Sequence, residues 1–64
     1  MMKQYDKVKI LINDFSFEGV SAGMEGYIIE IYPDGKFESE FSIQDTGKTT
    51  AIVVLKPSDV VKTV

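Results

Sequence analysis

The chain has 64 residues, a formal net charge of −3, and neither cysteine nor histidine. A chain this short holds one domain, residues 1–64, and hides only roughly 60% of the surface its unfolded form exposes. Disulfides, thiolate metal sites and imidazole acid–base chemistry are excluded, and seven lysines with no arginine against ten carboxylates argue for a basic protein partner over nucleic acid.

No apolar run approaches the ~20 residues of a membrane span. The opening M-M-K-Q-Y-D-K lacks the apolar stretch of a secretory signal. The expectation is a complete intracellular chain, suited by its lack of cysteine to the reducing cytoplasm.

Val8 to Ile12 forms a first strand, with Val8, Ile10 and Ile12 on one face and Leu11 breaking the pattern. Asn13 to Ala22 has no stable period and carries turn formers at Asn13, Asp14, Ser16, Gly19 and Ser21. It reads as a loop, long for so small a domain. Phe15 and Phe17 in it have two readings. One of them, with Val20, caps the core, or they form an aromatic contact for a partner.

Gly23 to Phe41 is the central hairpin. Tyr32-Pro33-Asp34-Gly35 fits a type I turn, with proline at its second position and Gly35 at φ > 0 making a G1 bulge. This register pairs Tyr32 with Lys36, Glu30 with Glu38 and Ile28 with Glu40. Tyr27, Ile29, Ile31, Phe37, Ser39 and Phe41 then form the core face. Ile28, Glu30, Tyr32, Lys36, Glu38 and Glu40 form the outer face. Glu30 opposite Glu38 is a repulsive pair. Either solvent screens it over a Debye length of about 8 Å, or the face is an acidic patch built to meet a basic partner.

Asp45-Thr46-Gly47-Lys48 reads as a turn. Thr49 to Leu55 is a fourth strand with Ala51, Val53 and Leu55 inward and Ile52 and Val54 outward, an aggregation hazard if it lies on an edge. Lys56-Pro57-Ser58-Asp59 breaks it with a 3₁₀-like turn, and Val60 to Val64 forms the last strand. The expected fold is all-β: a small five-stranded SH3-like barrel with a long first loop and a central hairpin.

G-M-E-G-Y-I-I-E-I-Y-P-D-G-K-F-E-S-E-F, followed by L-K-P-S-D-V, resembles a domain-of-unknown-function family of short bacterial proteins. Its pattern is G-x-x-G-T-V-V-E-x-Y-x-x-G-x-Y-x-V-E-F, then L-x-P-x-D-L. Gly23, Gly26, Ile28, Glu30, Gly35, Phe37, Glu40, Phe41, Leu55, Pro57 and Asp59 fall on pattern positions. Tyr27 replaces a threonine and Ser39 a valine, the latter implying a looser core. The resemblance implies an SH3-like barrel. Some members lie beside genes for candidate toxins, which implies an antitoxin or immunity role and carries over no catalytic residue. A weaker similarity, through Val8, Gly23, Gly26, Ile28 and Ile31, is to KOW-type modules of ribosomal and transcription-elongation proteins.

Catalysis is not expected: Glu30, Glu38 and Glu40 lie on open strands without the pocket that tunes a carboxyl. Regular strands also cannot wrap the six or more oxygens Ca²⁺ needs, so neither metal nor cofactor is expected. The reading is a non-enzymatic module that binds a basic protein, possible contacts being Phe15, Phe17, Ile28, Glu30, Tyr32, Glu38 and Glu40. The alternatives are a KOW-like module on RNA or the transcription and translation machinery, and self-association along the fourth strand. The sequence leaves the oligomeric state open.

Overall fold

The computed structural model describes residues 2–42 and 50–63. Five antiparallel strands, β1 (Lys7–Ile10), β2 (Glu25–Ile31), β3 (Phe37–Ser42), β4 (Thr50–Leu55) and β5 (Val60–Lys62), form one sheet in the order β4-β3-β2-β1-β5. Two 3₁₀ turns, Ser16–Glu18 and Pro57–Asp59, are the only helical pieces among the described residues. Among them no pairing joins β4 to β5, so the closure expected of a barrel is not present. The sheet still curls. A flat sheet would set β4 and β5 about 19 Å apart, yet Ala51, Val53 and Leu55 share one buried cluster with Val8, Ile10 and Val60.

The strands follow the side-chain alternation. In β4 the burial pattern alternates without a break, with Ala51, Val53 and Leu55 inside and Ile52 and Val54 outside, as expected. Val8 and Ile10 are buried, Ile12 packs on the core from beyond the end of β1, and Leu11 is exposed. The turn expected at Asp45–Lys48, Thr49 and Val64 lie outside the described residues.

The hairpin turn has the expected three-residue geometry. The Gly35 N–H donates to the Tyr32 carbonyl at 3.0 Å, the Tyr32 N–H donates to the Lys36 carbonyl at 2.8 Å, and Gly35 sits at φ +93°. The Asp34 carboxylate accepts from the Lys36 N–H at 3.0 Å. Ile31 therefore pairs with Phe37 and Glu30 with Glu38.

Beyond Glu30 the register departs from expectation. A bulge between Ile28 and Glu30 shifts β2 by one residue, pairing Ile28 with Ser39, Tyr27 with Glu40 and Gly26 with Phe41. A one-residue slip exchanges the two faces of a strand. Ile28 thus enters the core, fully buried, and is corrected from the outer face. Tyr27 moves the other way and is 52% exposed. Gly26 is the core-facing residue before Ile28. A Cβ there would lie 2.5 Å from the Glu40 carbonyl oxygen and 2.7 Å from the Phe41 ring.

The amino-terminal turn takes up the backbone groups that the bulge exposes. The Ile28 N–H donates to the Asp6 carbonyl at 3.0 Å, and the Ile28 carbonyl accepts from the Tyr5 N–H at 2.6 Å. The Gln4 amide donates to the Ile29 carbonyl at 2.9 Å. Tyr5 adopts φ +73° to make this turn. Asp6 fixes it by accepting from the Lys3 N–H at 2.9 Å and pairing with Lys62 at 3.4 Å. These contacts, the Lys3 N–H first, hold the Asp6 carboxyl below its ordinary value.

Ser39 is fully buried and its hydroxyl has no hydrogen-bond partner. An unpartnered buried hydroxyl costs stability. Ser39→Ala is therefore expected to raise stability by about 1 kcal/mol. Gly26→Ala should lower it by about 1–3 kcal/mol, because the added methyl meets backbone and a buried ring. Urea unfolding of the two variants measures both, with opposite signs expected.

Candidate functional site

Glu30, Tyr32, Glu38 and Glu40 come together on the outer face of the β2–β3 hairpin. Glu30 and Glu38 are cross-strand partners. The Tyr32 hydroxyl donates to Glu38 Oε2 at 2.5 Å. That hydrogen bond, with burial and the charges of Glu38 and Glu30, pushes the Tyr32 phenol up to about 12. The phenol thus offsets part of the repulsion expected between Glu30 and Glu38. Among the described residues the ion pairs are Lys7–Glu25 at 3.2 Å and Lys62–Asp6, so none of the three carboxylates on this face has a lysine partner.

The acidic residues have apolar neighbours: Ile52 and Val54, outward as expected, and Tyr27, which the expected register placed in the core. Glu40 lies between Tyr27 on β2 and Ile52 on β4, and Glu38 faces Val54. Ile52 and Val54 are 52% and 46% exposed. Tyr27 was missed because its placement depends on the bulge. The available signal was the doublet Ile28-Ile29, which breaks the alternation of an otherwise regular strand.

Three predicted contacts lie elsewhere. Ile28 is in the core. Phe15 packs against the core from the first loop and lines a cleft of about 330 Å³ with Ile12, Lys36, Val54, Lys56 and Asp59. Phe17 stands on the 3₁₀ turn, 82% exposed. The loop itself is well tied. Asn13 Oδ1 accepts from the Ala22 N–H at 2.8 Å, and the Gly23 N–H donates to the Ile10 carbonyl at 2.8 Å. Phe15, with the buried Val20, closes the core as the first reading expects, and Phe17 is exposed to solvent.

A larger, mostly apolar cavity of about 520 Å³ opens between the hairpin and β5, lined by Met2, Ile31, Gly35, Phe37, Pro57 and Lys62. Its one charged group, Lys62, is engaged by Asp6. Among the described residues no three carboxylates are grouped to hold a metal ion. No described helix is long and apolar enough to cross a membrane.

Residues 5–62 match the model of a family described as Domain of unknown function (DUF4926). A match over nearly the whole chain makes the protein a member of that family. Neither a curated protein nor a solved structure matches it.

The Tyr32–Glu38 bond has a measurable signature. A site-resolved NMR titration of the Tyr32 ring should give a midpoint of about 12, and Glu38→Gln should return it toward 10.0. Because the folded value lies above the unfolded one, the bond's contribution to stability is full below pH 10.0 and fades as pH rises toward about 12. A wild-type midpoint near 10.0 would show that the bond does not form.

Proposed function

We propose that the protein is a non-enzymatic interaction module of the cytoplasm whose acidic hairpin face binds a basic protein. The observation that carries this is the row Glu30, Glu38 and Glu40 on one face, without a lysine partner among the described residues and bordered by Tyr27, Ile52 and Val54. Carboxylates steer a cationic partner into register, and adjacent apolar side chains supply area that loses water on contact. Tyr32 holds Glu38 in place, so part of the face is ordered before binding. Phe17, exposed on the first loop, offers a second contact.

An antitoxin- or immunity-like role is the physiological form of this reading, the basic partner then being a toxin. A KOW-like attachment to RNA has less support, since a row of carboxylates repels phosphate. Catalysis has no support from the face, which is an open strand surface.

Affinity capture from the native host, read by mass spectrometry, should recover a basic protein. The double variant Glu38→Lys/Glu40→Lys should weaken its binding by about tenfold or more, with the loss shrinking as salt rises. Circular dichroism should show the variant folded. Undiminished capture by a folded double variant would remove this face from the interaction.

A further inference from the structure

We infer that β4 is the seat of an added strand: it receives an extended, basic segment of the protein partner along its free edge. This rests on the acidic-face reading and specifies how the partner is held.

The two edges of the sheet differ. β5 is three residues long and ends at Lys62, which is tied to Asp6. Short length and edge lysines are the usual protections against strand addition. β4 has neither. It pairs with β3 at six consecutive positions from Thr50 to Leu55 with no register shift, and it contains no proline, glycine or charged residue. Among the described residues its other side pairs with nothing. A regular apolar edge of this kind offers its outward N–H and C=O groups to another chain.

The charge beside that edge selects the occupant. On the outer face Ile52 is opposite Glu40 and Val54 is opposite Glu38. A strand laid beside β4 would lie about 10 Å from β3, two strand spacings away. Lysine or arginine on its outer face would rest its alkyl stem on Ile52 or Val54 and extend its charged head toward Glu40 or Glu38. Alternate residues would point to the opposite face, along the margin of Ala51, Val53 and Leu55, which are themselves buried in the core, with Ile12 and Phe15 of the first loop beside the Leu55 end, and apolar side chains suit that margin. The occupant is therefore a segment of alternating basic and apolar residues. A second copy paired edge to edge would offer a β4 with no basic residue of its own to set beside Ile52 and Val54, its Lys36 and Lys56 lying past the strand's end.

The test uses the ¹⁵N-labelled full chain and a short peptide of alternating lysine and valine. Two control peptides alternate glutamate with valine and lysine with proline. The proline peptide keeps the charge but loses every second N–H and is held near the polyproline conformation, which makes it a poor strand former. The lysine–valine peptide should slow hydrogen exchange of the outward β4 amides by about tenfold, and the two controls should not. Glu38→Gln/Glu40→Gln, which keeps side-chain shape, should weaken the effect, and Glu38→Lys/Glu40→Lys should abolish it. Equal binding of the lysine–proline peptide, with hairpin resonances shifted and β4 exchange unchanged, would overturn strand addition while leaving the acidic face standing. β4 protection that is indifferent to both glutamate variants would overturn the charge-selected occupant and the acidic-face reading beneath it. Concentration-dependent protection of β4 without peptide would assign the edge to a second copy and overturn the proposal, as would no binding of the lysine–valine peptide.

Discussion

The bulge at Ile29 is the constraint on which the rest of this structure depends. It gives β2 one residue more than β3 can match, and so divides the hairpin into two halves of opposite facing. On the turn side, Phe37 points inward opposite Ile31. On the far side, Ile28 and Gly26 point inward while Tyr27 turns out. Without the bulge, Ile28 would be lost from the core and Tyr27 would have to fit where Gly26 and Ile28 now meet Phe41 and Ser39. The amino-terminal turn makes the irregularity affordable by supplying partners for the Ile28 and Ile29 carbonyls, through the Tyr5 N–H and the Gln4 amide.

The same irregularity shapes the outer face. It sets Tyr27 beside Glu40, and through β3 the row continues to Ile52. The acidic residues therefore have aromatic and aliphatic neighbours, a composition that can lose water on contact as well as attract a cation. The edge strand completes this surface, because the side chains that flank Glu38 and Glu40 on one side belong to β4. Charge, apolar area and a strand edge unpaired among the described residues thus meet along one margin of the sheet. The first loop contributes separately: it spends Phe15 and Val20 on the core and leaves Phe17 in solvent.

Features fixed by local chemistry were legible in the sequence. Proline, aspartate and glycine at 33–35 dictate a tight turn with one positive φ, and the turn formed as read. The alternation in Thr50–Leu55 assigned both faces of β4. Pro57 marked the 3₁₀ turn. What was not legible depended on contacts distant in sequence. No glycine or proline marks the bulge, only the doublet Ile28-Ile29; its backbone groups are met by Gln4, Tyr5 and Asp6, more than twenty residues earlier, contacts that strand periodicity does not show. Tyr27 and Ile28, whose faces were exchanged, lie beyond that point, while Ile31, read as core, is on the Phe37 side but 40% exposed at the cavity. Closure of the sheet was also beyond the sequence, since it turns on whether a three-residue β5 reaches β4. Of the seven candidate contacts, Glu30, Tyr32 and Glu38 stand together because the register near the turn is local, Glu40 keeps its face because the extra residue is on β2, and Ile28 was lost to the bulge.

The family match extends over residues 5–62 and so includes Tyr5 and Asp6 of the turn that supports the bulge, and all five strands. The account stands or falls on the register of β2. Cross-strand backbone NOEs in the labelled chain measure it directly. They should connect Tyr27 with Glu40 and Glu30 with Glu38, leave Ile29 without an opposite residue, and show the Ile28 methyls in contact with core side chains. NOEs that place Ile28 opposite Glu40 in one unbroken register, with its methyls in solvent, would contradict it.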